Sequence, residues 1–175
     1  MKSWWIRTAD NAMSLELRDI PVPQPEAGQV GIRIRAAALN RGEFIAGHGL
    51  HTASKARPAG FEAAGEVTSL GEGVTRWKVG DRVLADPYTR DNYALLGETS
   101  DGGLAEYCRV PANQLLRLPQ SVSFAKAAAL PVAYGTAYRM MVGRGGLPLD
   151  GSAAGKRILI LGASGGVGTC CVQLA

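Results

Sequence analysis

A chain of 175 residues with 46% hydrophobic and 19% charged residues is long enough for one complete domain and part of a second. Its net charge of +4 comes from 19 basic and 15 acidic residues, dispersed without a run of four basic ones, which argues against a nucleic-acid partner. Met1–Arg7 lacks an apolar signal core, and the longest apolar stretch, residues 125–142, is broken by Lys126, Pro131 and Arg139, so no membrane span is expected. Cys108, Cys170 and Cys171 form no C-x-x-C pair. They read as small buried side chains in a soluble, cytoplasmic protein.

Residues 3–8 and 14–18 read as two short strands joined by a polar turn. Residues 21–25, with three prolines, form an extended connector. Val30, Ile32 and Ile34 alternate with Gly31, Arg33 and Arg35, the pattern of a half-buried strand with its arginines in water. Residues 40–46 read as a short helical turn, and residues 61–70 as a strand of small residues. Residues 79–83 are a turn feeding a strand. Residues 86–102 read as a long polar loop, followed by strands over 104–110 and 114–117.

From Ser123 the character changes. Ser123 is the expected N-cap of an alanine-rich helix over 125–130. Pro131 opens a second helix that runs to a capping Gly143. Residues 143–155 form a glycine-rich loop. Strands therefore dominate before about residue 120, and αβ alternation follows.

Residues 158–161 are four apolar residues in the pattern of a strand covered on both faces. Residues 163–168 make a small-residue turn, and a helix is expected from Thr169. The spacing A-x-G-x-x-G places Ala163, Gly165 and Gly168 at its three small positions. Backbone N–H groups and the positive helix end at such a turn suit a pyrophosphate. Gly165 admits the phosphate, and Gly168 allows helix and strand to approach. The residue that would read the ribose, about 20 residues further on, lies past Ala175. The strand is accordingly expected to stand alone, without partner strands.

These segments together resemble the medium-chain dehydrogenase/reductase superfamily, in particular its zinc-independent quinone oxidoreductase-like branch. The resemblance rests on Gly60-Phe61-Glu62-Ala63-Ala64-Gly65 with Gly71 and Val74, where the family pattern has histidine in place of Phe61. It is supported by residues 79–83, by Gly102-Gly103-Leu104-Ala105-Glu106-Tyr107, by residues 128–131 with Thr136-Ala137, and by residues 162–168. It implies a β-rich, GroES-like partly open barrel over residues 1–122. An incomplete α/β Rossmann start follows over residues 123–175.

Carried over by motif, the catalytic zinc ligands of metal-dependent relatives fall on Asn40, Phe61 and Val132, none of them a thiolate or imidazole. Gly42 stands at the proton-relay hydroxyl, and the loop 86–102 has none of the cysteines of a structural zinc lobe. His48 and His51 read as surface residues, so no metal site is expected. The resemblance implies hydride transfer from NADPH (or NADH) to a small-molecule quinone or α,β-unsaturated carbonyl, whose carbonyl oxygen needs hydrogen-bond donors. It places Asn40 beside the nicotinamide as the catalytic and cofactor-binding residue; capping of the helix at 41–46 is a compatible second role. Thr136 lies by the nicotinamide ribose, or simply packs its helix. Ala163, Ser164, Gly165, Gly166, Val167 and Gly168 bind the pyrophosphate. Tyr88, Tyr93 and Tyr134 receive no role. Glu62 is open to an arginine or a backbone group, and Arg41 and Glu43 read as a local ion pair.

The leading expectation is a reductase, with a homodimer as the full-length form and a truncated, inactive chain as the 175-residue product. The alternatives are a non-catalytic, crystallin-like member, or a binding module built on the barrel alone.

Overall fold

The N-terminal hairpin forms where the sequence alternates. Strands β1 (Lys2–Ala9) and β2 (Ala12–Asp19) pair antiparallel from Lys2 opposite Asp19 to Ala9 opposite Ala12. In this computed structural model, which describes residues 1–9, 12–46, 57–88 and 95–175, the expected polar turn at 10–11 lies outside the described residues. Next come β3 (Gln29–Ala36), the short helix α1 (Arg41–Ala46), and β4 (Arg57–Pro58), which adds to the free edge of β1. β5 (Ala64–Leu70), β6 (Arg82–Ala85), β7 (Tyr107–Pro111) and β8 (Leu115–Arg117) complete the strands.

Among the described residues there are two antiparallel sheets, ordered β2-β1-β4 and β7-β3-β5-β6-β8, and neither closes on itself. Segment 103–106 stitches them together. Trp4 N–H donates to Leu104 O at 2.8 Å, Glu106 N–H to Lys2 O at 3.0 Å, and Ile34 N–H to Glu106 O at 2.9 Å. This is the partly open, GroES-like barrel that the sequence implied.

The core follows the alternation. Val30 and Ile32 of β3, Val67 of β5, Val83 and Ala85 of β6, Cys108 and Val110 of β7 and Leu115 of β8 are buried together with Trp77. Each large apolar side chain removed from water contributes about 1.5–3 kcal/mol. Trp77 satisfies its indole by donating to Ala112 O at 2.8 Å. Leu96 joins this core, so the loop expected to be polar is anchored from within. Leu95 O gathers N–H donors from Glu98, Thr99 and Ser100 beside it. Desolvation pushes the Cys108 thiol up to about 12, which suits an inert packing residue.

Ser123 caps α2 (Phe124–Ala128), its hydroxyl accepting from Lys126 N–H at 3.2 Å. Ala127 and Ala128 then pack with Ala64 and Leu118. The chain divides into two compact units, Met1–Ala129 and Leu130–Ala175.

In the second unit, α3 (Ala133–Tyr138) runs on as a π-helical turn, Arg139–Arg144, in which Gly145 N–H reaches Met140 O at 2.8 Å. The helix therefore passes through Gly143 and ends at Arg144, one residue later. Gly146, with φ of 65°, supplies the left-handed residue that ends it. α4 (Gly166–Leu174) begins earlier than Thr169 and buries Cys170 and Cys171 against Ala137 of α3. Residues 158–161 have no partner strand among the described residues and form no strand. The expectation of burial on both faces is corrected: Leu159 and Leu161 are 85% and 84% exposed. Extended backbone needs neighbours to take up its N–H and C=O groups.

Candidate active site and glycine turn

The polar cluster of the first unit starts at the head of α1. Glu43 lies in the first turn of this helix and is 4% exposed. Its carboxylate reaches back to accept Asn40 N–H at 2.9 Å, and its other oxygen accepts Phe61 N–H at 2.8 Å. Asn40 O in turn accepts Glu43 N–H at 3.1 Å. This is the returning arm of a capping box, and the N-x-x-E spacing from Asn40 to Glu43 was the signal for it in the sequence. The expected Arg41–Glu43 ion pair is replaced by these two backbone contacts. Burial raises the Glu43 carboxyl above its usual range; the Asn40 and Phe61 N–H groups oppose the rise and Glu62 adds to it.

The Asn40 side chain does not cap α1. Its Nδ2 donates to Glu62 Oε2 at 2.7 Å. Glu62 is 1% exposed and Phe61 7%. The Phe61 ring lies over Gly42, where an added Cβ would come within 3.0 Å of Phe61 Cε2. A phenyl ring packed on α1 thus stands at the position to which the family pattern assigns histidine. The backbone around the motif is tightly woven. Gly60 has φ of 106°, and a Cβ on Gly103 would sit 2.2 Å from Glu62 O, so glycine is required at both places.

The second unit carries the glycine turn. Gly162, with φ of 70°, reverses the chain, and its carbonyl accepts Gly165 N–H at 3.0 Å. Gly165 is the N-cap of α4 and contributes no side-chain cap, while its carbonyl accepts Thr169 N–H at 2.8 Å. Thr169 Oγ1 donates to Ala163 O at 3.2 Å. A Cβ on Gly168 would meet Gly162 O at 2.1 Å, whereas one on Gly165 would meet only that same oxygen, at 3.3 Å, and Gly166 is open. Gly168 is therefore needed for the fold of the turn, and Gly165 and Gly166 leave it uncovered. The first-turn N–H groups of a helix have no partner within it, and here they belong to Gly166, Val167 and Gly168. A phosphate fits that set of donors. Thr136 is exposed on α3, the helix packed against α4.

The expected site residues thus fall into two groups, Asn40 in the first unit and Thr136 with Ala163–Gly168 in the second. Sequence reasoning missed the Asn40–Glu62 bond and the bridging role of Glu43. Tyr134 Oη contacts Gln173 Oε1 and Tyr88 is exposed; Tyr93, His48 and His51 lie outside the described residues. Among the described residues, no three His, Cys, Asp or Glu side chains gather as a metal-binding group, and no helix is long and apolar enough to cross a membrane.

Residues 26–120 match the family model of the alcohol dehydrogenase GroES-like domain. The chain is 37% identical over 169 residues to the chloroplast envelope quinone oxidoreductase homolog of Arabidopsis thaliana, covering 94% of this chain and 48% of that protein. It is 38% identical over 179 residues to the 2-methylene-furan-3-one reductase of Solanum lycopersicum, covering 100% and 44%. Among solved structures, an NAD-dependent alcohol dehydrogenase superposes with a TM-score of 0.86 at 29% identity, over 99% of this chain and 54% of that one. The chain spans about half the length of the curated relatives it matches. It belongs to the medium-chain dehydrogenase/reductase superfamily, carries that superfamily's GroES-like domain, and lies among its quinone oxidoreductase-like members.

Proposed function

We propose that the chain is part of an NAD(P)H-dependent, zinc-independent oxidoreductase that reduces quinones or α,β-unsaturated carbonyls by hydride transfer. Residues 1–122 form its substrate domain and residues 123–175 begin its nucleotide-binding domain. The observation that carries this reading is Asn40. At a position where metal-dependent relatives hold a thiolate, this chain places an amide bonded to a buried carboxylate at 2.7 Å. With Phe61 at a second such position, the first unit offers hydrogen bonding in place of a Lewis acid.

A nicotinamide cofactor, when bound, supplies the hydride. The turn Ala163-Ser164-Gly165-Gly166-Val167-Gly168 would hold its pyrophosphate; the roles that the family resemblance gives Asn40, beside the nicotinamide, and Thr136, beside its ribose, belong to the same proposal. A quinone or enone suits a site without zinc because its carbon is already electron-poor. As the hydride adds, the electron pair moves onto the carbonyl oxygen, and a proton from solvent completes the reduction. The remaining Asn40 N–H can donate to that oxygen while charge develops. The names of the Arabidopsis and tomato relatives, a quinone oxidoreductase homolog and a methylene-furanone reductase, support this substrate class. A homodimer is the corresponding assembly.

The test is NADPH oxidation with a naphthoquinone and with an enone, using this chain joined to the second half of a relative, with and without a zinc chelator. Turnover that survives the chelator supports the reading. Turnover abolished by the chelator and restored by zinc overturns it.

A further inference from the structure

We propose that Glu62 is a positioning residue that fixes how the Asn40 amide is turned toward a ligand, an inference that rests on the functional reading above. Asn40 Nδ2 donates to Glu62 Oε2 at 2.7 Å, so the nitrogen end of the amide is the end turned toward Glu62. Glu62 is 1% exposed whereas Asn40 is half-buried, so the accessible side of the amide is the side away from Glu62. On that side Asn40 offers Oδ1 as an acceptor and its second N–H as a donor.

The backbone is held separately. Glu43 uses one oxygen on Asn40 N–H and the other on Phe61 N–H, so it is committed to the main chain at both places. Two buried carboxylates therefore divide the work: Glu43 fixes where Asn40 stands, and Glu62 fixes how its amide is turned. The second Nδ2–H is thereby left to donate to a ligand's carbonyl oxygen, the contact the functional reading needs.

This division is testable by nitrogen-15 NMR of the 175-residue chain, following the Asn40 side-chain amide in the parent, in Glu62→Gln and in Glu62→Leu. Gln keeps an acceptor oxygen and Leu does not. In the parent, the Asn40 side-chain protons should exchange about tenfold more slowly than in Glu62→Leu, the scale of one hydrogen bond. Glu62→Gln should recover part of that protection. The backbone amides of Asn40 and Phe61, bonded to Glu43, should keep their positions in all three. Equal side-chain exchange in parent and Glu62→Leu overturns the proposal. So does loss of the Asn40 and Phe61 backbone signals in parallel with the side chain, because Glu62 would then hold the segment rather than the amide. Reductase turnover of the chain joined to a relative's second half reports separately on the functional reading; its absence would overturn that reading while the amide orientation remains decided by the spectra.

Discussion

Gly168 lies directly against Gly162: a Cβ at Gly168 would come within 2.1 Å of the Gly162 carbonyl oxygen and 2.8 Å of the Ala163 Cα. Both neighbours are main chain and cannot swing aside. Gly168→Ala should therefore destabilise the turn by about 1–3 kcal/mol, the range for overpacking. Gly165→Ala meets only one atom, at 3.3 Å, and should destabilise the turn less than Gly168→Ala does. The pair separates folding from binding. Thermal unfolding should distinguish Gly168→Ala from the parent, while Gly165→Val should fold and lose affinity for NADPH.

Trp77 donates its indole N–H to Ala112 O inside the main core. Trp77→Phe removes the donor and leaves that carbonyl without it. A loss of about 1–3 kcal/mol is expected, read from the urea midpoint at unchanged slope.

Glu43 gives a pH signature with a defined sign. Its folded carboxyl is raised above 4.5, chiefly by burial. Between that value and the higher folded one, the native state binds more protons than the unfolded chain, so this group's contribution to stability falls as pH rises through the window. Asp81 works in the opposite sense. Arg117 at 3.0 Å, followed by Lys78 N–H, holds it below 3.8, so its contribution is present above 3.8 and lost as pH falls through the lower folded value. Glu43→Gln should flatten the dependence above pH 4.5 and leave the acid limb intact. An unchanged upper limb would remove Glu43 from the account.

The sequence made some of this legible and hid the rest for identifiable reasons. The alternation at Val30, Ile32 and Ile34 revealed β3 because one face is buried and the other wet. Ser123 announced α2 because its cap is local. β4 was illegible: two residues, Arg57 and Pro58, become a strand only by pairing with Ile6 and Trp5. The end of α3 was misplaced because Gly143, Gly145 and Gly146 offer several stops, and only backbone geometry selects Gly146. Asn40 was identified by its motif, yet its partner Glu62 lies 22 residues away. No spacing rule connects the residue before α1 to one two positions ahead of β5, so the bond emerged only from the fold.

Zinc should be absent from the purified protein at stoichiometric level. Asn40 and Phe61 occupy two of the expected ligand positions, with Asn40 Nδ2 committed to Glu62 and the Phe61 ring packed on Gly42. Elemental analysis after dialysis decides this, and one bound zinc per chain would overturn it.

The central claim, that Asn40 serves hydride transfer in place of a metal, is tested most directly by turnover of Asn40→Ala in the chain joined to a relative's second half. Removing one preorganised donor from a developing oxyanion costs on the order of 10²–10³ in kcat. The account predicts a loss of that order, with NADPH still bound by the glycine turn and the fold intact by thermal unfolding. Turnover in Asn40→Ala equal to that of the parent would contradict it.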